Sequence, residues 1–434
     1  MATLKAVRGT RDLLPPETEL WNRIEATARQ VFARYNFSEI RTPIFEDTGL
    51  FARSVGEETD IVSKEMYTWE DRARAQSEKT QSLTLRPENT AGVVRAYIEH
   101  GLGESGQLQK LYYIGPQFRR ERPQKGRYRQ FWQIGAEVIG PPSSGSESPL
   151  RDAEVLEMLA TLLRELGIAG WTLELNSVGS ATDRARYNDV LRAALVDVAP
   201  KMCGDCQRRA VTNPLRVLDC KVPEDQPIIE SLPKIGDSLG EDSKTHFAAV
   251  LAALDAAGVA YKLNQRLVRG LDYYTRTTFE FTHGGLGAQN ALLGGGRYDG
   301  LSEAIGGPKA PGIGFAIGLD RLVLTLQAQE SGQAAVPAAK VDAYIAPIGE
   351  SLNAAALVLA RELRRAGLRV ELGDGSFRLR KSFEAADKIA HRIVILGEDE
   401  HQSGILTLKD FKTGTQTKVP RAELAAHLAR PAGE

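Results

Sequence analysis

The sequence predicts a multidomain chain of α+β and α/β type. Three observations carry this. At 434 residues the chain exceeds a single core, since about 150 residues per domain gives roughly three domains. Paired apolar-alternating runs at 110–118 and 128–139 predict a hairpin, with further strand-like alternation at 266–282 and 288–293. Beyond residue 340, strand and helix patterns alternate, as in a compact α/β domain of about 90 residues.

In chain order, Leu20, Ile24, Thr27, Val31 and Phe32 recur at helical spacing and predict an amphipathic helix over 20–34. The pattern breaks at Pro43 and Gly49 and runs on through an acid-rich stretch. Residues 73–82 have nothing to bury and read as a loop. A short strand, Leu83-Thr84-Leu85, ends at Arg86-Pro87, and a helix follows from Glu88 to about His100. Residues 141–149 read as a linker-like break before a helix from Arg151 to Leu166. The stretch 176–262 mixes short helices with Pro and Gly and reads as a helical insertion. Gly312–Gly318 leads into an apolar helical run to about Leu326. Residues 327–340 have the small, polar composition of a connector. The resulting division is 1–175, 176–262 (the insertion), 263–326, the linker 327–340, and 341–434.

Composition narrows the function classes. With 55 Lys+Arg against 56 Asp+Glu, the net charge of −1 excludes nucleic-acid binding by a bulk positive field, though not by a local patch. Three cysteines are too few and odd for a secreted disulfide scaffold. No apolar run approaches the roughly 18–20 residues of a membrane span, and the N-terminus shows no signal core. A cytoplasmic location, without membrane attachment, is the expectation.

Four segments carry chemistry. Residues 119–129 (RRERPQKGRYR) hold six basic residues and one acid. A solvated hairpin tip is the ordinary account of such a run, but arginine outnumbers lysine five to one, and its planar fork suits phosphate. On the returning strand Phe131, Gln133 and Glu137 share a face by the two-residue period, which offers a stacking ring, an amide and a carboxylate together. In LVRGLDYYTRT (267–277), Arg269 projects beside Gly270, and Tyr273 and Tyr274 are read as hydroxyls on opposite strand faces. In LLGGGRYDG (292–300), three glycines permit positive φ or close approach of a ligand, and no Lys-Ser/Thr follows to make a Walker loop. GIGFAIGLDRL (312–322) has its last glycine one residue late for a dinucleotide fingerprint, and no acid sits about 20 positions on, so a Rossmann dehydrogenase does not fit.

Together these segments resemble histidyl-tRNA synthetases, a family of class II aminoacyl-tRNA synthetases, over nearly the whole chain. The arginine-rich hairpin is similar to class II motif 2, GIGFAIGLDRL to motif 3, and Pro43 after FSEIR to the motif 1 proline at a dimer interface. LVRGLDYYTRTTFEF and LLGGGRYDGL resemble the two histidine-specific peptides, and RGTRDLLP near the N-terminus also fits. The resemblance implies an antiparallel sheet core with flanking helices and a C-terminal anticodon-binding domain. It implies a homodimeric histidine–tRNA ligase that uses ATP with Mg²⁺ to activate L-histidine and then charges tRNA(His).

The resemblance also implies residue roles. Glu88 and Thr90 of TLRPENT would hold the α-ammonium, with Asn89 in the same histidine-binding loop and Gln133 and Glu137 assisting. Tyr273, Tyr274 and Tyr298 would line the imidazole pocket. Arg119 would grip the α-phosphate of ATP and the histidine carboxylate, Arg127 and Arg321 the outer phosphates, and Phe131 would stack beneath adenine. Arg269 would stabilise charge on the α-phosphate, so Arg269 and Arg119 are the expected catalytic pair. Two positions depart from the family pattern: Asn89 stands where glycine is usual, and Trp132 where histidine is common.

The rival reading is the regulatory subunit of ATP phosphoribosyltransferase, a histidine-binding paralogue. It lacks the C-terminal domain and typically the arginines present here. No metal is expected: Cys203-x2-Cys206 has no second close pair, Cys220 stands alone, and His246 is the only histidine nearby, so the thiols are read as reduced. The insertion of this family helps hold the tRNA acceptor stem. Ser376–Arg392, with five basic residues and two acids, occupies the place of a basic segment in the family's anticodon domain. Because 341–434 carries 14 Lys+Arg and 13 Asp+Glu, tRNA binding is expected to rest on shape and specific contacts more than on bulk charge.

Overall fold

The expected hairpin supplies two neighbouring strands of a large sheet in the computed structural model. Gln109–Phe118 pairs antiparallel with Gln130–Ile139, in register from Gln109 opposite Ile139 to Phe118 opposite Gln130. The structure describes residues 3–56, 59–71, 80–124, 126–286, 290–330 and 340–429, and the chain divides into two units, Met1–Gln333 and Ala334–Glu434.

The sheet of the first unit has eight strands. Its order is Ser38–Glu39, Gln109–Phe118, Gln130–Ile139, Gly312–Gly318, Ala291–Arg297, Thr275–His283, Trp171–Ser177 and Lys262–Leu263. The six inner strands run antiparallel, and only the short edge strands pair in parallel. Strand alternation then sorts side chains between two faces. Ile134, Ala136, Val138, Phe279, Phe281, Ile313, Phe315 and Ile317 pack against Glu17–Arg34, Pro149–Glu165, Glu241–Ala256 and Leu319–Glu330. Their alternates, among them Gln133, Glu137, Glu280 and Gly314, face the other way.

One charged side chain lies within the packed face. Arg297 is fully buried; its Nη1 meets Asp152 Oδ1 at 2.5 Å, its Nη2 donates to the Ser146 carbonyl at 2.6 Å, and its Nε donates to Asp299 at 3.0 Å. Asp152 Oδ2 accepts from Thr277 Oγ1 at 2.6 Å, and His246 Nε2 lies 3.6 Å away.

The structure redraws several sequence expectations. Residues 141–149 are a packed turn rather than a linker: Ser146 is buried with its hydroxyl on the Gly140 carbonyl, and Ser148 caps the Pro149–Glu165 helix. Residues 266–274 are not strand. The chain extends only from Thr275, so Tyr273 and Tyr274 do not take opposite faces; their rings lie 4.7 Å apart between centroids. A strand, Gln81–Leu85, begins inside the expected 73–82 loop, of which 73–79 lie outside the described residues. It joins Phe45–Asp47 and Tyr67–Asp71 in a three-stranded sheet. Arg86 anchors this region: it donates to the carbonyls of Thr42, Pro43 and Pro116 at 3.0–3.3 Å. The helix expected to reach Leu326 continues to Glu330, and the rest of the expected linker, 331–339, lies outside the described residues.

Within the insertion, Tyr187, Leu191, Leu195, Val217, Ile229 and Ile235 form a separate apolar cluster. Helix Glu241–Ala256, assigned to the insertion from sequence, instead contributes Val250 and Leu254 to the main core. The second unit has a five-stranded sheet, ordered Val370–Leu372, Val341–Pro347, Ala390–Leu396, Ile405–Asp410 and Gln416–Pro420. The first three strands are parallel, as the alternating pattern requires, and the last two add antiparallel.

All four tryptophans (Trp21, Trp69, Trp132 and Trp171) lie in the first unit, so their fluorescence reports its unfolding alone. Asp152→Ala removes the buried carboxylate partner of Arg297 and leaves it only that of the partly exposed Asp299, and is expected to destabilise this unit by about 3 kcal/mol in urea. The double variant Asp152→Leu/Arg297→Met is expected to be more stable than Asp152→Ala, because no buried charge is left unpaired.

Candidate functional site

Two adjoining cavities open on the polar face of the large sheet, of about 390 and 170 Å³. Arg119, Gln133, Arg269, Gly294 and Ala316 line both and mark where they meet. Sheet register explains the floor: position 133 pairs with Gly318, and 137 with Gly314. A Cβ at Gly314 would lie 1.7 Å from Glu137 Oε2, so glycine is what lets that carboxylate lie across the neighbouring strand. Gly294 likewise yields to Arg269, whose Cζ would be 2.6 Å from an added Cβ. The triple glycine thus serves close approach, since none of its three residues has positive φ.

The smaller cavity is walled by Glu88, Thr90, Glu137, Tyr273, Tyr274 and Tyr298, with Leu271 among the apolar groups. Glu88 accepts from the backbone N–H groups of Thr90 at 2.8 Å and Ala91 at 3.0 Å, at the start of helix Thr90–Glu99. Thr90 Oγ1 donates to Glu137 Oε1 at 2.8 Å. Burial pushes the Glu137 carboxyl up to about 8, against the pull of its bond from Thr90. Burial also raises the hydroxyls of Tyr113, Tyr273, Tyr274 and Tyr298, which therefore remain protonated donors. Gln133 Oε1, Glu137 Oε2, Tyr113 Oη and Tyr298 Oη are buried without a hydrogen-bond partner among the described residues. Buried polar atoms are normally paired, so this cluster fits a polar ligand carrying donors and acceptors of its own.

The larger cavity gathers Arg119, Arg127, Arg216, Arg269 and Arg321 around Phe131. Arg119 donates to the Pro87 carbonyl at 2.9 Å, and its guanidinium lies 5.2 Å from the Phe131 ring centroid. Arg269 is ion-paired with Glu280. Burial opposes its charge, but Glu280 and Tyr274 outweigh burial and hold its proton more firmly. Arg127 pairs with Glu121 at 3.3 Å. Arg321 donates to the Ala291 carbonyl at 2.6 Å; burial, and then the charge of Arg127, lower its pKa. Cations that burden one another around a cleft are a site for an anion with several charged oxygens.

Every expected site residue but one lines these cavities. Asn89 does not: its Oδ1 accepts from Thr42 Oγ1 at 2.7 Å, behind the Glu88–Thr90 turn. Trp132 points into the helical core, edge-on to Trp21. Three groups were missed from sequence. Arg216 comes from the insertion, 53 positions before Arg269, and donates to the Arg269 carbonyl at 3.2 Å. Glu280 was one of many strand acids until pairing placed it opposite Gly294. Tyr113 sat in an apolar run with no mark of a site residue.

The chain's relatives identify its family. Residues 9–322 match the histidyl-tRNA synthetase family model, and 342–430 match the anticodon binding domain. The chain is 73% identical over 426 residues to a histidine–tRNA ligase of Koribacter versatilis, covering 98% of this chain and 96% of that protein. It is 56% identical over 427 residues to one of Solibacter usitatus, covering 98% and 99%. Among solved structures it is similar to apo histidyl-tRNA synthetase of S. aureus: TM-score 0.79, 36% identity, 99% of this chain and 100% of that chain.

The Glu137 proton gives a pH signature. The folded ligand-free protein holds this proton up to about pH 8, whereas a carboxyl at its ordinary value of 4.5 releases it far sooner. The stability it contributes is full below about pH 4.5 and lost as pH rises towards about 8. Urea midpoints of the ligand-free protein are expected to fall across that window, and to fall less in Glu137→Gln.

Proposed function

Because the chain belongs to the histidyl-tRNA synthetase family, we propose how its joined cavities divide the work of a histidine–tRNA ligase. Such an enzyme works in two steps. A histidine carboxylate oxygen attacks the α-phosphorus of ATP, the bond to the β-phosphate oxygen breaks, and pyrophosphate leaves. The terminal ribose hydroxyl of tRNA then attacks the histidyl carbonyl carbon, and AMP leaves. The observation that carries the residue assignment is the meeting of an arginine-lined cavity with one rich in unpaired buried acceptors and hydroxyls.

Histidine takes the smaller cavity. Glu88, Thr90 and the acceptor atoms of Gln133 and Glu137 receive its ammonium, and the hydroxyls of Tyr273, Tyr274 and Tyr298 surround its imidazole. A near-isostere lacking the ring nitrogens would leave these buried groups unpaired, which is a strong basis for rejection. Asn89 acts through Thr42 by steadying the loop that carries Glu88, and does not touch the ligand.

ATP takes the larger cavity. Its adenine stacks on the Phe131 face that Arg119 leaves, and Arg127 and Arg321 hold the outer phosphates. Arg119 and Arg269, which line both cavities, stand where carboxylate and α-phosphate must meet. Displacement at phosphorus needs alignment and fixed positive charge rather than a protein nucleophile, and these two arginines supply both. Mg²⁺ fits the donor set at the outer end, where Glu65 and Glu121 add hard carboxylate oxygens to those of the phosphates. Bound there, it would neutralise phosphate charge.

We further propose a homodimer formed through the Pro43 region, where Ile44, Phe45 and Trp69 are exposed side by side. No helix among the described residues is long and apolar enough to cross a membrane, and we assign the chain to the cytoplasm, where its substrates are. The C-terminal unit is the anticodon-binding domain and presents the basic Ser376–Arg392 segment to tRNA.

Pyrophosphate exchange into ATP, run with each amino acid in turn, is expected with histidine alone; exchange with another amino acid, or with none, would overturn the reading. Arg269→Ala is expected to slow adenylate formation by about 10²–10³-fold while leaving histidine affinity nearly intact. Gly294→Ala, which displaces the same guanidinium, is expected to act in the same direction and more weakly. A loss of histidine affinity with the rate of the bound complex unchanged would make Arg269 a ground-state binder instead.

A further inference from the structure

We propose that Cys203, Cys206, Cys220 and Asp225 form a structural zinc site in the helical insertion. Their ligand atoms all lie within 4.8 Å of one another. Cys203 Sγ and Cys220 Sγ are 3.9 Å apart, and Cys220 Sγ is 3.2 Å from Asp225 Oδ2. A tetrahedron with Zn–S bonds of about 2.3 Å and a Zn–O bond of about 2.0 Å has S···S edges of about 3.8 Å and S···O edges of about 3.5 Å. The sulfurs are far beyond the roughly 2.05 Å of a disulfide. Three thiolates and one carboxylate suit zinc and exclude magnesium and calcium, which favour oxygen cages.

The expectation of no metal rested on the want of a fourth ligand, with His246 the sole histidine in view. His246 lies instead beside Asp152, and the fourth donor is a carboxylate five residues after Cys220. The surroundings fit a bound cation. Cys206, Cys220 and Asp225 are buried, and Cys203 is partly so. Cys203 is the N-cap of helix Gly204–Thr212 and Cys206 lies in its first turn, where backbone N–H groups favour thiolates. The Cys203 N–H donates to Asp225 at 3.1 and 3.3 Å, and the Val222 N–H to Cys220 Sγ at 3.4 Å. Such donors fix ligand orientation and offset the excess negative charge of three thiolates and a carboxylate around one dication. On binding, the three thiols release their protons to solvent and the metal takes the electron pairs; nothing is oxidised.

The site has a structural purpose. It ties helix Gly204–Thr212 to the short helical stretch Pro214–Asp219 and to the turn after it, elements too short to bury much surface by themselves. Between the cysteines lie Asn213, which donates to Asp272 at 3.0 Å, and Arg216, which donates to the Arg269 carbonyl. A metal here would fix the part of the insertion that supplies Arg216 to the larger cavity.

Full-length protein, expressed with zinc and dialysed into zinc-free buffer, is expected to retain about one zinc per chain by mass spectrometry of the metal. Replacement by cobalt(II) should give thiolate charge-transfer bands and the intense visible bands of a tetrahedral centre. The chain has three cysteines in all, so titration with an organomercurial should release the zinc as those thiols react. Cys206→Ser and Cys220→Ser are expected to lose the metal, and Asp225→Cys, which exchanges one zinc ligand for another, to keep it. Absence of zinc, a weak octahedral cobalt spectrum, zinc release without thiol reaction, or a full equivalent retained in Cys206→Ser would each overturn the proposal. A mass about two units below that of the reduced chain would overturn it as well, by making Cys203 and Cys220 a redox pair.

Discussion

A guanidinium with no exposed surface holds the active face in place from behind. Arg297 ends the strand that carries the glycines of the cavity floor, and the residue after it is Tyr298. The sheet register shifts between Gly296 and Arg297, which re-aims the chain where it leaves the sheet. Arg297 then reaches Asp152 on one helix and the Ser146 carbonyl on the turn before it, while Asp152 also receives Thr277 from the next strand. Burying both charges costs several kcal/mol per ion before their attraction is counted, so stability alone is a poor reason for the pair. Its contacts are made together only where strand, turn and helix stand as they do here, and Tyr298, a wall of the smaller cavity, follows Arg297 directly.

The rest of the site follows from alternation in the sheet. Large apolar residues on one face fasten the helices, and the opposite face is left with small or polar residues at the same register positions. Gly294, Gly314 and Ala316 make that face low enough for side chains from loops to lie over it. Arg269 arrives from the irregular segment before Thr275 and Arg119 from the end of the hairpin strand, so the two arginines that line both cavities come from loops, while Phe131, Gln133 and Glu137 stand on a strand of the floor.

Legibility in the sequence tracked the range of the interaction. The hairpin, the α/β alternation of the C-terminal unit and the Phe131, Gln133, Glu137 face rest on local periodicity and could be read directly. The Tyr273–Tyr274 geometry could not: apolar and aromatic content there imitates a strand, but the Arg269 carbonyl is engaged by Arg216, and the chain reaches the sheet only at Thr275. Helix Glu241–Ala256 was grouped with its sequence neighbours, although Val250 and Leu254 find their partners in the main core. Arg216 and Glu280 gained meaning only from residues 53 and 11 positions distant, and no spacing rule spans such contacts. Asp225 was invisible for a related reason, since only a turn brings it back to Cys203.

The neutrality of the whole chain conceals how its charges are used. Arginines gather at the larger cavity, yet three of the five have carboxylate partners: Glu280 for Arg269, Glu121 for Arg127 and Asp60 for Arg216. Those partners weaken the net field that would draw ATP in, which would be a poor arrangement if capture were the only task. They also hold each guanidinium before ligand arrives, so little reorganisation would remain for the charge that the proposed reaction builds on the α-phosphate. Arg119 is held differently, by a carbonyl and an aromatic face, at the junction of the two cavities. In the proposed division of the cavities, a cation at that junction would serve two anions, the carboxylate that attacks and the phosphate attacked. It would lower their mutual repulsion most when they are closest, which is at the transition state.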